Sequence, residues 1–451
     1  VAAVTLSGLL LAPTMGGAAF PAAVALLAAN RNPQKRRTIL SVLAALVCAA
    51  SLGAIPIGAV VTAASGKTAV ALTLAVMTAV AALWCWSRYL PRLPAIRHPL
   101  ALLHGSAVLA VVALGISCRG GALSIEKAAL CAALIPELLW RASYWIKWRL
   151  RQPGDKGAAE NLFTVIPFLG RGGVPYGKGP EYLTRYEASD ASERAAAQIR
   201  GIGLLLLALA WRLVSALIVA RVHGGAQPWF GWSFSPASSP LLPSMSALLD
   251  APLSYPLSLR WAALFSELVQ NILTLAAYGH TIVAIYSLAG FCIPRNTSAP
   301  LLASTVLDFW ARYYFYFKEL LMDFFFFPVY LRCSRLPGIA RTLVATFAAA
   351  FAGNVYYHLF LYAPEWMQAG GRQFGSMALL RCVYCALLAA GLGWSIGRAS
   401  RRAERRPPWQ QAMGILGAAM FFALLHIWNY HEGEASLAER WEVLQSLFMW
   451  D

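Results

Sequence analysis

Long apolar blocks, each close to the length of a membrane-crossing helix, alternate along this chain with short charged segments. They fall at residues 16–29, 39–64, 68–86, 99–117 and 122–146, then at 201–220, 259–291, 342–361, 379–396 and 409–428. A helix needs about 20 apolar residues to cross the hydrocarbon core, where an isolated strand would leave its backbone groups unpaired. The pattern therefore predicts an all-α, polytopic integral membrane protein with about ten transmembrane helices plus re-entrant or interfacial ones. It divides the chain into N-terminal spans over residues 1–151, a charged and glycine-rich segment over 152–198, a central membrane core over 199–363, and C-terminal spans with a short tail over 364–451.

Several stretches depart from simple alternation. The apolar piece at 161–169 is too short to span and reads as interfacial or partly re-entrant. Residues 223–257, rich in Pro, Ser and Trp, read as a turn-rich outer loop, and residues 429–451 as a short outer tail with an amphipathic pattern. In the 259–291 block, Glu267, Asn271, Tyr278 and His280 interrupt an otherwise apolar run, and Glu267 and Asn271 share a helical face. Residues 301–330 set Asp308, Arg312, Lys318, Glu319 and Asp323 among the aromatic runs YYFYF and FFFF. Lipid exposure would cost several kcal/mol for each such charge. This segment is expected to form buried or interfacial helices, re-entrant in path, with Trp310 and Arg312 facing protein.

Composition agrees with the pattern: of 451 residues, 59% are hydrophobic and 13% charged, with a mean hydropathy of +0.58. That leaves too little polar surface to cover a soluble fold of this size. A formal net charge of +17 would point to nucleic acid on a soluble surface. Here the basic residues flank the apolar blocks, at 31–37, 88–97, 148–151, 332–335 and 398–406, so the positive-inside rule accounts for them and no nucleic-acid partner is expected. The same rule puts the N-terminus outside and those basic loops in the cytoplasm. The apolar stretch beginning at Val1 lacks a basic leader region and predicts a membrane segment, with no cleavable signal. Eight cysteines in such a chain make no disulfide framework, and Cys382 and Cys385 sit beside Arg381 as helix-packing residues. Gly172, Gly177 and Lys178 satisfy part of a phosphate-binding loop, but Gly179 stands where a magnesium-binding hydroxyl is required. No repeat at a solenoid period and no inverted repeat stands out.

Candidate chemistry gathers between residues 278 and 360. Asp308, Phe309, Trp310 and Arg312 are followed at fixed spacing by Asp323 and Pro328, and preceded by Asn296 and Pro300. Downstream, GNVYYHLF places His358 after Tyr357, and upstream a fragment carries Phe163, Pro167, Arg185, Tyr186 and Glu187. In these patches the chain resembles the membrane-bound O-acyltransferase superfamily, most of all its bacterial members that acylate exported polymers such as alginate. The signature there resembles E-F-W-R-R-W-H, nine residues, then D-Y-L-Y-I-P, and a later motif resembles G-G-L-W-H-G. The chain departs from it at Ala311, at Tyr314, where that branch has histidine, and in the glycines before His358, of which Gly353 is the nearest survivor.

The resemblance implies a catalytic base at His358, with Asp308 beside it in the catalytic set. It implies substrate contacts at Trp310, Arg312, Tyr314, Asp323, Tyr357 and Asn296, and donor-phosphate contacts at Lys318, Arg332 and Arg335; His280, an ionisable residue within a span but outside the motifs, is a further candidate substrate contact. It implies no metal and no permanently bound cofactor. The donor would be an acyl-CoA or acyl carrier protein thioester, and the acceptor a hydroxyl on a polysaccharide, a lipid-linked sugar or a small molecule. The location implied is the bacterial cytoplasmic (inner) membrane, with membrane lipids and an acyl carrier protein as partners. The chemistry suits the residue type, since histidine takes up a proton near neutrality as a hydroxyl attacks a carbonyl. Each residue also has a plainer role: Asp308 and Arg312 neutralise one another one turn apart, the cations fix topology, and His280 packs helices or lines a tunnel. A lipid or polymer transporter and a non-catalytic assembly subunit are the competing readings.

Overall fold

In the computed structural model, six helices among the described residues are long and apolar enough to cross a bilayer: Pro99–Arg119, Ala191–Val222, Leu257–Leu288, Gly338–Leu361, Phe374–Arg398 and Pro408–Asn429. The structure describes residues 35–42, 44, 66–89, 98–152, 156–166, 173–225, 228–229, 232–237, 239–368, 371–399, 407–429 and 435–449. Among the described residues the regular structure is helical, apart from a two-stranded ribbon pairing Pro228–Trp229 with Trp232–Ser233 and a single bridge between Glu187 and Phe291.

Among the described residues the candidate spans number six, where the apolar blocks of the whole chain led to an expectation of about ten. The block at 16–29 and most of that at 39–64 lie outside the described residues. The block at 68–86 falls in the helix Gly66–Tyr89, whose side chains are described from residue 74 onward. The block at 122–146 forms the helix Ile125–Arg151, but Glu137, Arg141 and Lys147 interrupt its apolar run and its middle is buried in protein. It packs against the helices Pro99–Arg119 and Ala363–Gln368. Protein, not lipid, is therefore what its polar residues meet. At the other extreme, none of the apolar window of Pro99–Arg119 is buried, and Leu102, Leu109, Val112 and Ile116 stand exposed along it, as a lipid-facing surface requires.

The chain divides into two compact units, one comprising Val1–Leu207, His280–Pro294 and Leu359–Gly370, the other Ala208–Gly279, Arg295–His358 and Gly371–Asp451. In the first, the basic residues at 36–37 do more than mark topology. Arg36 is buried and pairs with Glu187, and Arg37 pairs with the other oxygen of the same carboxylate. Arg37 also donates to Asn161 Oδ1 at 2.8 Å and Thr184 Oγ1 at 3.1 Å. Gly290, at φ 88°, ends its helix in the left-handed region, and a Cβ there would lie 2.3 Å from the Arg36 guanidinium. Only glycine meets both conditions. Its carbonyl accepts from Ala188 N at 2.9 Å, and Tyr186 O accepts from Cys292 N at 2.7 Å. The described part of the segment read as interfacial, residues 161–166, is pinned into the unit: Asn161, Phe163 and Ile166 are buried, and its first residues close the short helix Lys156–Thr164.

Glu365 lies in the Ala363–Gln368 helix, between two spans, and its Oε2 is buried with no hydrogen-bond partner among the described residues. Burial pushes its carboxyl up from the usual value, while a bond to its own backbone opposes the shift.

The second unit closes on its own C-terminal helix. Residues 429–451, read as an amphipathic outer tail, contain the helix Leu437–Ser446, started by a reciprocal capping box between Ser436 and Glu439. That helix is docked: Val443 and Leu447 join Met245, Leu248, Leu264, Ile427 and Trp428 in one apolar core. Two fully enclosed arginines hold it. Arg260 donates to Ser446 O at 2.6 Å, Met449 O at 3.4 Å and Tyr255 O at 2.5 Å, and Arg440 donates to Ile427 O and Ala435 O. Arg260 therefore places a cation on carbonyls that a helix C-terminus leaves without partners, where the helix dipole also favours positive charge.

These buried groups set two expected outcomes. Arg260→Ala strands three carbonyls and is expected to lower the unfolding free energy by about 3 kcal/mol, with faster amide exchange across residues 437–446. Unchanged exchange there would show that the clamp is dispensable. For Glu365, the raised value in the fold means stability falls as pH climbs from the unfolded carboxyl's pKa through the folded one. Glu365→Gln should thus raise the thermal midpoint at neutral pH, and the gain should vanish below about pH 4. A gain independent of pH would contradict this origin.

Candidate active site

The segment 295–332, all in the second unit, is a string of short helices and not one straight span. Thr305 caps the helix Val306–Tyr313 by accepting from Asp308 N at 3.1 Å. The chain breaks at Tyr314, with φ −138° and ψ 75°, and resumes as Phe315–Leu321. Asn296 fastens that break: its carbonyl accepts from Phe315 N at 2.9 Å and its Oδ1 from Tyr316 N at 3.2 Å. Thr297 Oγ1 donates to Tyr313 O at 3.0 Å, and Ser298 N to Arg312 O at 2.8 Å. Orphan carbonyls of one helix and free N–H groups of the next are thus satisfied by three consecutive residues. Gly279 leaves room for the latch, because a Cβ there would lie 2.8 Å from Asn296 Cβ.

Trp310 is buried as expected, and Phe309 stacks on Phe422 with ring centroids 3.9 Å apart. Arg312 Nε donates to Asp308 Oδ1 at 2.8 Å, in a pair roughly 40% exposed on each side. That exposure makes it worth at most about 1 kcal/mol to stability. Lys318 pairs with Glu319 at 2.9 Å and lies over the Phe315 ring. Asp323 falls in a π-helical turn, Met322–Phe326, and Arg332 and Arg335 are exposed beyond it.

A second π-helical turn, Ala348–Gly353, precedes the helix Asn354–Leu361, and the two turns pack together. A π turn holds an extra residue and so rotates everything after it about the helix axis, an arrangement frequent at functional sites. The contact is close, since a Cβ on Gly353 would lie 2.6 Å from the Phe325 ring. Beyond it, His358 is bounded by aromatic rings, with centroids of Tyr357 at 5.5 Å, Tyr384 at 6.2 Å and Phe317 at 6.5 Å. Phe317 in turn touches Tyr357 at 4.6 Å and Tyr314 at 5.4 Å.

The structure therefore brings His358, Tyr357 and Tyr314 together through Phe317. It gives Asp308 and Arg312 to each other and uses Asn296 as a latch. His280 is buried in the first unit. Sequence reasoning did not single out Tyr384, and it named Arg381, one turn before it, only as the neighbour of Cys382 and Cys385; Arg381 Nη1 donates to Asn429 Oδ1 at 2.7 Å. An arginine inside the 379–396 block was the available signal. Asn271 Nδ2 donates to Glu267 O at 2.8 Å and meets His426 Nε2 at 3.1 Å, so the polar face of the Leu257–Leu288 helix finds its partners in protein. Cys382 and Cys385 are free thiols. No protein-family model matches the chain, and no curated protein does.

Gly353→Ala should force the two π turns apart and cost about 1 to 3 kcal/mol of stability. Combining it with Phe325→Leu should cost less than the sum of the two single changes, because both relieve the same contact. Additive losses in thermal or denaturant unfolding would show that the turns do not bear on one another.

Proposed function

We propose that the protein is a membrane-embedded O-acyltransferase that moves an acyl group from a thioester donor to a hydroxyl acceptor. One observation carries the reading: His358, an ionisable side chain within a span, sits in an aromatic enclosure made by Phe317, Tyr357 and Tyr384. Intramembrane ionisable residues mark functional sites by default. The order of residues around it, Asp308 to Arg312, then Asp323 and then His358, supports assigning it to the resembled superfamily.

In this reading the imidazole takes the proton of the acceptor hydroxyl as its oxygen attacks the thioester carbonyl carbon. The aromatic walls exclude water, which would otherwise compete as acceptor. The donor is acyl-CoA or an acyl carrier protein thioester. Exposed Arg332 and Arg335 suit its phosphates, whereas Lys318 is already engaged by Glu319. Asp308 holds Arg312 in place and thereby supports the segment that presents Phe317. Tyr314 and Tyr357 border the enclosure and serve as substrate contacts. The setting would be a bacterial inner membrane, with a polysaccharide, lipid-linked or small-molecule acceptor.

His358→Gln keeps polarity but cannot accept the proton, and should lower turnover roughly 10² to 10⁴-fold while leaving the protein monodisperse in nanodiscs. Transfer of a labelled acyl group from each thioester donor is the readout. Near-wild-type turnover in H358Q would remove the base assignment. A wild type that moved lipid or polymer across a bilayer without acylating it would replace the reading with transport.

A further inference from the structure

The helix that carries His358 opens on a residue whose side-chain chemistry nothing among the described residues uses. Asn354 begins the turn directly after the Ala348–Gly353 π turn, and its backbone N–H bonds to Ala349 O. Its side chain is different: it is 1% exposed, and neither Nδ2 nor Oδ1 has a hydrogen-bond partner among the described residues. A buried amide with both ends unsatisfied is among the least favourable groups a membrane helix can contain, and it calls for a functional explanation. Asn296 makes a partial contrast: it is as deeply buried, and its Nδ2 too has no partner among the described residues, but its Oδ1 accepts from Tyr316 N, which gives its burial a structural reason.

Position supplies that explanation. Asn354 precedes His358 by four residues in one regular helix, so both project from the same face, one turn apart. It also stands where the resembled motif has glycine, so this chain adds a side chain at a place where that pattern has none. Gly353, packed under Phe325, fixes the rotation at which the helix leaves the π turn.

We infer that Asn354 is a catalytic residue whose Nδ2–H donates to the thioester carbonyl oxygen as it becomes an oxyanion. The inference rests on the acyl-transfer reading. The acceptor oxygen bonds to the carbonyl carbon, its proton passes to His358, and the carbonyl electron pair moves onto the oxygen held by Asn354. When that pair returns, the C–S bond breaks. Sulfur leaves as thiolate and takes the proton from the imidazolium, giving ester and free thiol. A fixed donor of this kind, in a site that excludes water, acts most strongly on charge that develops only in the transition state.

Asn354→Leu is the test, because leucine has a similar volume and no donor. Wild type, N354L and H358Q are compared in nanodiscs by labelled acyl transfer and by thermal unfolding. N354L should lose roughly 10² to 10³-fold in kcat, with KM for the donor changed by less than about threefold. Its unfolding midpoint should equal or exceed that of wild type, because the substitution removes an unsatisfied group. Turnover within about twofold of wild type in N354L would overturn the inference. So would a fall in midpoint that accompanies the loss of turnover, since that marks a structural role. Inactive H358Q with active N354L would sink Asn354 alone, and active H358Q with inactive N354L would sink only the base. A wild type that transfers nothing from either thioester donor would remove both.

Discussion

A polar group that cannot reach water must find its partner inside the protein, and in a chain this apolar that requirement decides most of what is fixed. Backbone groups meet it by forming helices. Side chains meet it by long-range pairing. Glu187 neutralises Arg36 and Arg37 from about 150 residues away in sequence, tying an early helix to the turn after Leu288. In the second unit Arg260 holds the C-terminal helix by its carbonyls, and Arg440, on that helix, reaches back to the carbonyl of Ile427 in the preceding span. Removing one member of such a set leaves the other buried and unsatisfied, so these contacts are costly to break even where their net stabilisation is small.

The same requirement shapes the candidate site. A straight span over residues 301–330 would have put Asp308, Lys318 and Asp323 into lipid. The chain instead breaks at Tyr314, and the latch at Asn296, Thr297 and Ser298 absorbs the backbone groups that the break exposes. Two π turns then set the rotation of the helical segments after them, the first carrying Phe325 within it and the second leading into the helix of His358. Asn354 differs from the latch residues in that both ends of its buried amide lack a partner among the described residues.

Hydropathy made the helical spans legible, as well as the anomaly of 301–330, because block length and buried charge are local properties. Glu267 and Asn271 were legible as a polar face for the same reason. Their partners were not: His426 lies 155 residues from Asn271, and nothing in either local sequence names the other. The basic residues at 36–37 looked like topology markers because the positive-inside rule explains any flanking arginine, and only the burial of Arg36 and the pairing of both with Glu187 show a second role. The block at 122–146 looked like an ordinary span by its length and apolar content, and the structure shows its Glu137 and Arg141 paired one turn apart, at 2.9 Å. The π turns left no trace in composition, and so the enclosure by Tyr384 could not be foreseen from spacing.

Catalysis at His358 requires the donor's acyl carbonyl to enter the space bounded by Phe317, Tyr357 and Tyr384. Photo-crosslinking with a thioester analogue that carries a diazirine beside its carbonyl, followed by peptide mapping, reports that location directly. The account predicts labelling concentrated on those three residues and on the 354–361 helix, suppressed by excess unmodified donor. Labelling confined to other helices, or unaffected by competing donor, would contradict it.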